Sequence, residues 1–325
     1  MVRTILVATI VLLIALVVPI SVVGQNADNI PGFRPGQTCL YSVRLHEITK
    51  VKPESATSLA RSAVIDSEAL VRVEVLSVDG RDVKVRTSFE ALSSDTHVRL
   101  PATDGVQAQD QRRGIDDRIT VQATIGPGGV ISEVAGLNGL YPEQQQVWRS
   151  WASAFGLAVD AQVSAGGNGP VALAEAPVSL GDLNGLMWSR ELQSTGQEPC
   201  SGYALGAADE PEKSTPLARG CTGLVVREKL TQTSPQLSSA QQSYQQRDLK
   251  KSGSARGKGV TRAQVSRDTG RLVRSDSESE QHAEVYFMRT DRSESMEYKT
   301  NTKTRVEIRL LTETLLQETN GVPKP

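Results

Sequence analysis

The sequence has few aromatic residues and almost no net charge. Phe, Trp and Tyr make up 4% of its 325 residues, so the core must consist mainly of Val, Leu, Ile and Ala. The balance of 36 Lys and Arg against 37 Asp and Glu gives a formal net charge of −1. A chain so nearly neutral has no general attraction for nucleic acid, which we therefore do not expect as a partner.

The common motifs of catalysis and cofactor binding are also missing. The three histidines, His46, His97 and His282, lie far apart, and none has HxH or HExxH spacing. There is no GxSxG or SxxK nucleophile motif and no glycine-rich phosphate-binding motif. We therefore expect no catalytic residues, no metal site, no cofactor and no enzymatic activity.

The N-terminal segment has the pattern of a secretory signal peptide. Arg3 is followed by the apolar run Ile5–Val18, then Pro19 and the small-residue site Val22-Val23-Gly24. This pattern predicts a signal peptide over residues 1–24 and an exported protein, periplasmic or extracellular, with no membrane span after cleavage. The alternative is an uncleaved N-terminal anchor, since Ile5–Val23 is just long enough to cross a bilayer.

The three cysteines, Cys39, Cys200 and Cys221, would meet oxidising conditions after export. A Cys200–Cys221 disulfide, closing a Gly-, Pro- and Ala-rich loop, is the simplest pairing. Spacing alone leaves open a bridge from Cys39 to one of the later two.

One stretch, Leu137–Phe155, contains two of the three Trp residues. Trp148, Trp151, Ala152 and Phe155 recur at i, i+3, i+4 and i+7, which is one stripe of an α-helix. Pro142 suits the first turn of this helix, and Gly156 suits the position just after its end.

Most other periodic stretches alternate apolar and polar residues, as β-strands do. The longest, Met296–Leu310, alternates over its whole length, which favours an antiparallel strand with one face in water. The first strand is predicted at Leu40–Glu47, and residues 50–66 and 93–117 are predicted to be polar loops. In the first hairpin, we expect Val75 to pair with Val83, because this register places both apolar sets on one face.

These patterns predict a mainly β protein, with a minor α+β character. It would have a large curved antiparallel sheet, or two related sheets, and one principal amphipathic helix. The expected organisation is an exposed leader (25–37), a first β-rich half ending in the Trp-containing helix (38–160), a Gly/Ala-rich linker (161–180) and a second β-rich half (181–325).

The chain loosely resembles bacterial secreted or periplasmic β-rich proteins of unknown function that are built from two related halves. The resemblance rests on the signal peptide, the turn Asp268-Thr269-Gly270-Arg271-Leu272 and the polar alternating last strand. It implies an exported β-rich fold and no particular activity.

Two sets of residues are candidate binding sites. Trp148, Trp151 and Phe155 would contact a hydrophobic small molecule or lipid if the helix covers a cavity. The basic hairpin, represented by Arg262, Arg267 and Arg271, would contact a polyanion or an envelope protein. A simpler interpretation of this hairpin is a solvated face beside strands of opposite charge.

The leading hypothesis is an exported, non-enzymatic binding or scaffold protein of the cell envelope that holds a hydrophobic ligand between sheet and helix. The first alternative is a protein-interaction module that uses exposed strands and the basic hairpin. The second is a hydrolase whose site has no linear motif.

Overall fold

The structure, a computed structural model, describes residues 32–53, 61–102, 105–114, 119–164, 170–180, 183–200, 220–232, 249–289 and 295–314. In these ranges, twelve strands form one antiparallel sheet, and a single α-helix, α1 (Pro142–Ser164), packs against it. The protein is therefore mainly β, as the alternating pattern predicts.

The first six strands precede α1 and the last six follow it. The first six are β1 (Thr38–Pro53), β2 (Arg61–Asp79), β3 (Asp82–Ala102), β4 (Gly105–Gly114), β5 (Thr120–Ile125) and β6 (Ile131–Ala135). The last six are β7 (Val171–Leu180), β8 (Leu183–Glu198), β9 (Cys221–Gln232), β10 (Leu249–Ser266), β11 (Leu272–Arg289) and β12 (Ser295–Thr314).

The two sets of strands are joined at the centre of the sheet, where β1 pairs with β12. From this central pair, the order runs outward through β2, β3, β5 and β6 on one side and through β11, β10, β9, β8 and β7 on the other. β4 pairs with the far end of β3, beyond the part of β3 that pairs with β5. The chain thus forms two meanders, and only the central pair brings together strands distant in sequence.

The sheet is strongly curved. Gly128, in the 3₁₀ turn after β5, accepts a hydrogen bond from Arg190 of β8. β5 and β8 are eight positions apart in the sheet order. In a flat sheet with the usual strand spacing, they would be separated by about 38 Å. Such a contact requires the sheet to bend around α1, so it has a concave and a convex face.

The main core lies between α1 and the concave face. Trp148, Trp151 and Phe155 are at most 1% exposed, and Trp151 lies 6.2 Å from Tyr41 of β1, centroid to centroid. The predicted helix stripe therefore packs as expected. Val71, with the other alternate residues of β2, contributes the opposing surface.

Helix α1 begins at Pro142, as predicted, but it continues past Gly156 to Ser164. Gly156 is an interior residue of the helix, and a β-carbon there would lie 2.2 Å from the Cα atom of Gly129. The prediction that Gly156 follows the helix end was therefore wrong. This glycine allows close approach of two backbones.

The described parts of two predicted loops, and part of the predicted linker, are strands. Residues 50–53 continue β1, and residues 61–66 begin β2. Residues 93–102 continue β3, and residues 105–114 form β4. In the predicted linker 161–180, residues 161–164 complete α1 and residues 171–180 form β7. Neighbouring strands hydrogen-bond these segments, although the side chains of residues 50–53, 93–102 and 105–114 are largely polar.

The first hairpin keeps its apolar residues on one face, but in a different register from the predicted one. Val75 pairs with Val85, and Val78 pairs with Val83. The register shifts between Val75 and Ser77, and Gly80 and Arg81 form the turn. The bulge within β2 thus brings the apolar residues of both strands to one face.

The predicted exposed leader also differs in part. Phe33 is 6% exposed, and its ring lies 4.8 Å from that of Phe155. Phe33 is buried because it packs against the aromatic stripe of α1. The sequence around Pro31 and Pro35 does not reveal this contact. The predicted signal peptide, residues 1–24, lies outside the described residues.

The convex face of the central strands is charged. Acidic residues of β11 meet basic residues of β12, with Glu280 3.2 Å from Lys303 and Glu284 3.6 Å from Lys299. Exposed pairs of this kind contribute little to stability, because water and salt screen them. A face with this many charges is typical of contact with water.

None of the helical residues in the described ranges forms a segment long and apolar enough to cross a membrane.

Candidate functional site

Polar residues form a row across the concave face. Thr304 of β12 pairs with Glu47 of β1 and with Ser279 of β11. The row continues through Gly259 of β10 to Glu228 of β9. Side chains at paired positions lie on the same face, about 5 Å apart. An otherwise apolar surface therefore has a polar band.

A cavity of about 710 Å³ lies between this band and α1. The helix contributes residues spaced mainly three or four apart: Gln146, Arg149, Ser150, Ser153, Ala154 and Leu157. At 3.6 residues per turn, this stripe lies on the side of α1 opposite the Trp148–Phe155 stripe. One side of α1 therefore completes the core, and the other covers the cavity.

Hydroxyl groups dominate the sheet side of the cavity. We call this set the hydroxyl belt: Thr49, Thr261, Ser275, Ser277, Thr300, Thr302 and Thr304. Thr49 and Thr302 face each other across β1 and β12, with their Oγ1 atoms 3.0 Å apart. Each hydroxyl can donate and accept a hydrogen bond, so the belt suits a polar group without charge.

An apolar cluster separate from the main core adjoins the belt. We call it the second cluster, and its buried members are Leu186, Trp188, Leu230, Ala283 and Val285. Trp188, Val285 and the partly buried Tyr298 also line the cavity. The cavity thus has an aromatic and aliphatic part beside its hydroxyl-rich part.

Trp188 has room for its ring because its neighbour across β9 and β10 is a glycine. A β-carbon on Gly257 would lie 3.0 Å from the Cη2 atom of Trp188 and 2.9 Å from the Glu280 carbonyl oxygen. Glycine inside a strand weakens it and often marks a close approach of another group. Here that group is the indole that lines the cavity.

The cavity contains one buried ion pair. Arg190 Nε donates to Glu228 Oε1 at 3.0 Å, and the side chain of Arg190 is 4% exposed. The remaining carboxylate, Glu47, accepts from Gln146 Nε2 at 2.6 Å and from Thr304 Oγ1 at 3.1 Å. These contacts connect α1 to the central strands at the edge of the hydroxyl belt.

A buried polar clamp holds α1 close to both halves of the sheet. Both carboxylate oxygens of Asp160 accept from the Gly128 backbone N–H at 2.8 Å, while Arg190 donates to the Gly128 carbonyl. Burial raises the pKa of Asp160 to about 6, although the Gly128 N–H and the Arg190 guanidinium act to lower it. The clamp joins the helix, the turn after β5, and β8.

The predicted ligand-binding residues do not line this cavity. Trp148, Trp151 and Phe155 are packed in the main core, where Trp148 Nε1 donates to Thr87 Oγ1 at 2.8 Å. The tryptophan at the cavity is Trp188. Ligand contact by the first three remains a prediction, and the described geometry favours their role in packing.

The three arginines of the predicted basic site are separated. Arg262 is exposed and lies opposite Asp276 in the register, and Arg267 is half-buried in the turn. Arg271 is fully buried, so it cannot contribute to a surface for polyanions. For Arg271, the expectation of an exposed binding residue is corrected.

Arg271 instead forms an ion pair in the core. Its Nε atom lies 3.3 Å from Oε1 of Glu313, and the two side chains are 0% and 2% exposed. Its guanidinium lies over the ring of Phe33, 4.4 Å from the centroid. Burial raises the pKa of Glu313, and the positive charge of Arg271 opposes that rise.

The disulfide prediction is confirmed: Cys200 and Cys221 are bonded. Cys39 is a free, buried cysteine, and burial raises the pKa of its thiol to about 12. A thiol with so high a pKa is almost entirely protonated at neutral pH and is a poor nucleophile.

Within the described ranges, no three His, Cys, Asp or Glu side chains come together as metal ligands would.

Sequence reasoning missed the hydroxyl belt and Trp188. One signal was available: the face of β12 that ends in Val306, Ile308 and Leu310 has threonine at positions 300, 302 and 304. Three hydroxyls on the otherwise apolar face of a long strand indicate a polar space above it.

No protein-family model matches the sequence, and no curated protein matches it. Among solved structures, the outer membrane protein OprG from Pseudomonas aeruginosa is 8% identical at a TM-score of 0.21, over 86% of this chain and 95% of that one. OccK7 (OpdD) from Pseudomonas aeruginosa is 5% identical at a TM-score of 0.25, over 85% of this chain and 100% of that one. An outer membrane channel from Pseudomonas putida F1 is 9% identical at a TM-score of 0.20, over 87% and 98%. Similarities this low carry no argument about function.

Proposed function

We propose that the protein is an exported, non-enzymatic binding protein of the cell envelope, which holds a small molecule with an apolar part between α1 and the concave face. The observation that carries this proposal is the cavity of about 710 Å³ beneath α1. Its volume lies within the range of roughly 300–1,000 Å³ that small-molecule sites occupy.

Export is supported by the signal-peptide pattern of residues 1–24 and by the Cys200–Cys221 disulfide, which suits an oxidising compartment. We propose a periplasmic or extracellular location, with the uncleaved anchor as the alternative. The charged convex face is compatible with either, because it suits contact with water.

Binding without catalysis fits the lining of the cavity better than hydrolysis does. Its two carboxylates, Glu47 and Glu228, lie four strands apart. Both carboxylates also have hydrogen-bonding partners that hold them in structural contacts.

The interaction-module alternative has weaker support. Among its three arginines, Arg271 is buried, and Arg262 lies beside an acidic strand rather than in a continuous basic surface. The exposed strand faces remain available to an envelope protein.

Binding can be tested with N-phenyl-1-naphthylamine, an uncharged probe that fluoresces in apolar surroundings. We expect saturable binding of one probe per protein. Ser150→Phe projects a ring from α1 into the cavity and should weaken binding at least about fivefold, since it removes space for the probe.

The matched control is Ser132→Phe, at an exposed position of β6 outside the cavity, which should bind the probe as the wild type does. Circular dichroism establishes that both variants are folded. Absence of saturable binding, or equal binding by the two variants, would overturn the proposal.

A further inference from the structure

The cavity beneath α1 combines an apolar part with a polar part whose charges cancel. Its positively charged lining residues are Arg149 and Arg190, and its negatively charged ones are Glu47 and Glu228. All remaining polar side chains of the lining are uncharged. A ligand buried here therefore meets hydrogen-bonding groups and no excess of either charge.

This balance matters because a charged group loses its hydration on entering a cavity. The loss is offset only where the site supplies an opposite charge or several well-placed hydrogen bonds. Arg190 and Glu228 already neutralise each other at 3.0 Å. The carboxylate of Glu47 is held by Gln146 and Thr304, and it would repel an anion attracted to Arg149.

The hydroxyl belt is suited to a ligand that itself carries hydroxyl groups. Thr300, Thr302 and Thr304 lie on one face of β12, and Ser275 and Ser277 lie on the same face of β11. Each hydroxyl of such an array can both donate and accept a hydrogen bond, as the hydroxyls of a sugar or polyol do.

The apolar part of the lining lies beside this belt. Trp188, Val285 and Tyr298 offer aromatic and aliphatic surface for a hydrocarbon segment, and Leu157 of α1 also lines the cavity. Each buried methylene group of an alkyl chain adds favourable binding free energy, so a chain of eight carbons is enough for measurable binding.

We propose that the ligand is an uncharged amphiphile with a hydroxyl-bearing head group, such as a glycosylated lipid, whose head lies on the hydroxyl belt and whose apolar chain lies on the second cluster. This inference rests on the proposed function and specifies the ligand class for the same cavity.

The test compares four ligands with the same eight-carbon chain: octyl glucoside, octanoate, octylphosphocholine and octyltrimethylammonium. Each is titrated by calorimetry below its micelle concentration, in the same buffer. We expect octyl glucoside to bind at least about fivefold more tightly than the other three, since only its head group is matched by the lining. A charged or zwitterionic ligand that binds as tightly would overturn the inference.

A pair of threonine variants tests the position of the head group. Thr300→Val removes a hydroxyl of the belt and conserves shape, so it should weaken octyl glucoside binding about threefold to tenfold and leave octanoate binding unchanged. Thr312→Val, at an exposed position of the same strand, is the control and should change neither. Equal loss for both ligands with Thr300→Val would overturn the placement.

The two proposals fail differently. If no octyl ligand binds and N-phenyl-1-naphthylamine does not bind either, the binding function is wrong, and the ligand class is wrong with it. If the probe binds and octyl glucoside neither displaces it nor binds better than the charged ligands, only the ligand class is wrong.

Discussion

The backbones of Gly156 and Gly129 are in direct contact: a β-carbon on Gly156 would lie 2.2 Å from the Cα atom of Gly129 and 2.5 Å from its nitrogen. Gly129 has a positive φ of 69° and belongs to the turn that presents Gly128 to Asp160 and Arg190. The contact therefore sets how closely α1 approaches the turn after β5.

Replacing Gly156 with alanine should destabilise the fold. Although alanine favours helices, its β-carbon would displace either α1 or the turn, which should lower the free energy of unfolding by at least about 2 kcal/mol. Urea denaturation followed by circular dichroism measures the change. Gly139→Ala is the control, because its β-carbon would have ordinary contacts at 3.8 Å, and its effect should stay within about 0.5 kcal/mol. Equal stability of the two variants would contradict the close contact.

Asp160 should make stability depend on pH in the mildly acidic range. Its pKa rises from 3.8 to about 6 on folding, so the folded state holds a proton that the unfolded state has released. The free energy of unfolding should therefore fall as pH increases from about 4 to about 6.5, by about 3 kcal/mol at most.

The measurement is urea denaturation at several pH values between 4 and 7. Asp160→Asn keeps an oxygen acceptor for the Gly128 N–H but cannot titrate, so its decrease across this range should be smaller than that of the wild type. Asp79→Asn, at an exposed position beside the β2–β3 turn, should keep the wild-type slope. If Asp160→Asn also kept that slope, another group would be responsible.

The buried pair of Arg271 and Glu313 should respond strongly to the loss of one charge. Glu313→Gln leaves the guanidinium buried without a counterion, which should cost about 3–5 kcal/mol of unfolding free energy. Glu68→Gln breaks an exposed pair with Arg44 and should cost less than about 1 kcal/mol. Thermal unfolding compares the two variants directly. Equal melting temperatures would show that loss of the Glu313 charge costs no more stability than loss of an exposed charge.

The sequence predicts the fold best where burial is regular. Alternating valines specify the first hairpin, and Trp148, Trp151 and Phe155 specify the buried side of α1, because each apolar residue there meets the main core. The Cys200–Cys221 disulfide is the simplest pairing, although spacing alone leaves open a bridge from Cys39.

The strands that were not predicted from the sequence have a common physical cause. Toward the far ends of the long strands, the concave face carries Thr300, Thr302, Gln281 and Gly257, as well as apolar residues. Residues 50–66 and 93–117 are likewise rich in polar residues, so they have the composition of loops although they contain strands.

The helix end was missed for a different reason. A glycine after an amphipathic segment usually marks a helix terminus, and nothing local distinguishes Gly156 from such a residue. Its role depends on Gly129, which lies 27 positions earlier and reaches it only after the sheet has curved.

The pairing of β1 with β12 determines when the sheet can be completed. β1 ends at Pro53, and its central partner begins at Ser295, so more than 240 residues must emerge from the ribosome between the two halves of this contact. Until then, β1 and β11 each present an unpaired edge that invites pairing with other chains. Assembly of this sheet is therefore a late event relative to synthesis, and a chain interrupted before Ser295 would lack the strand that covers both edges.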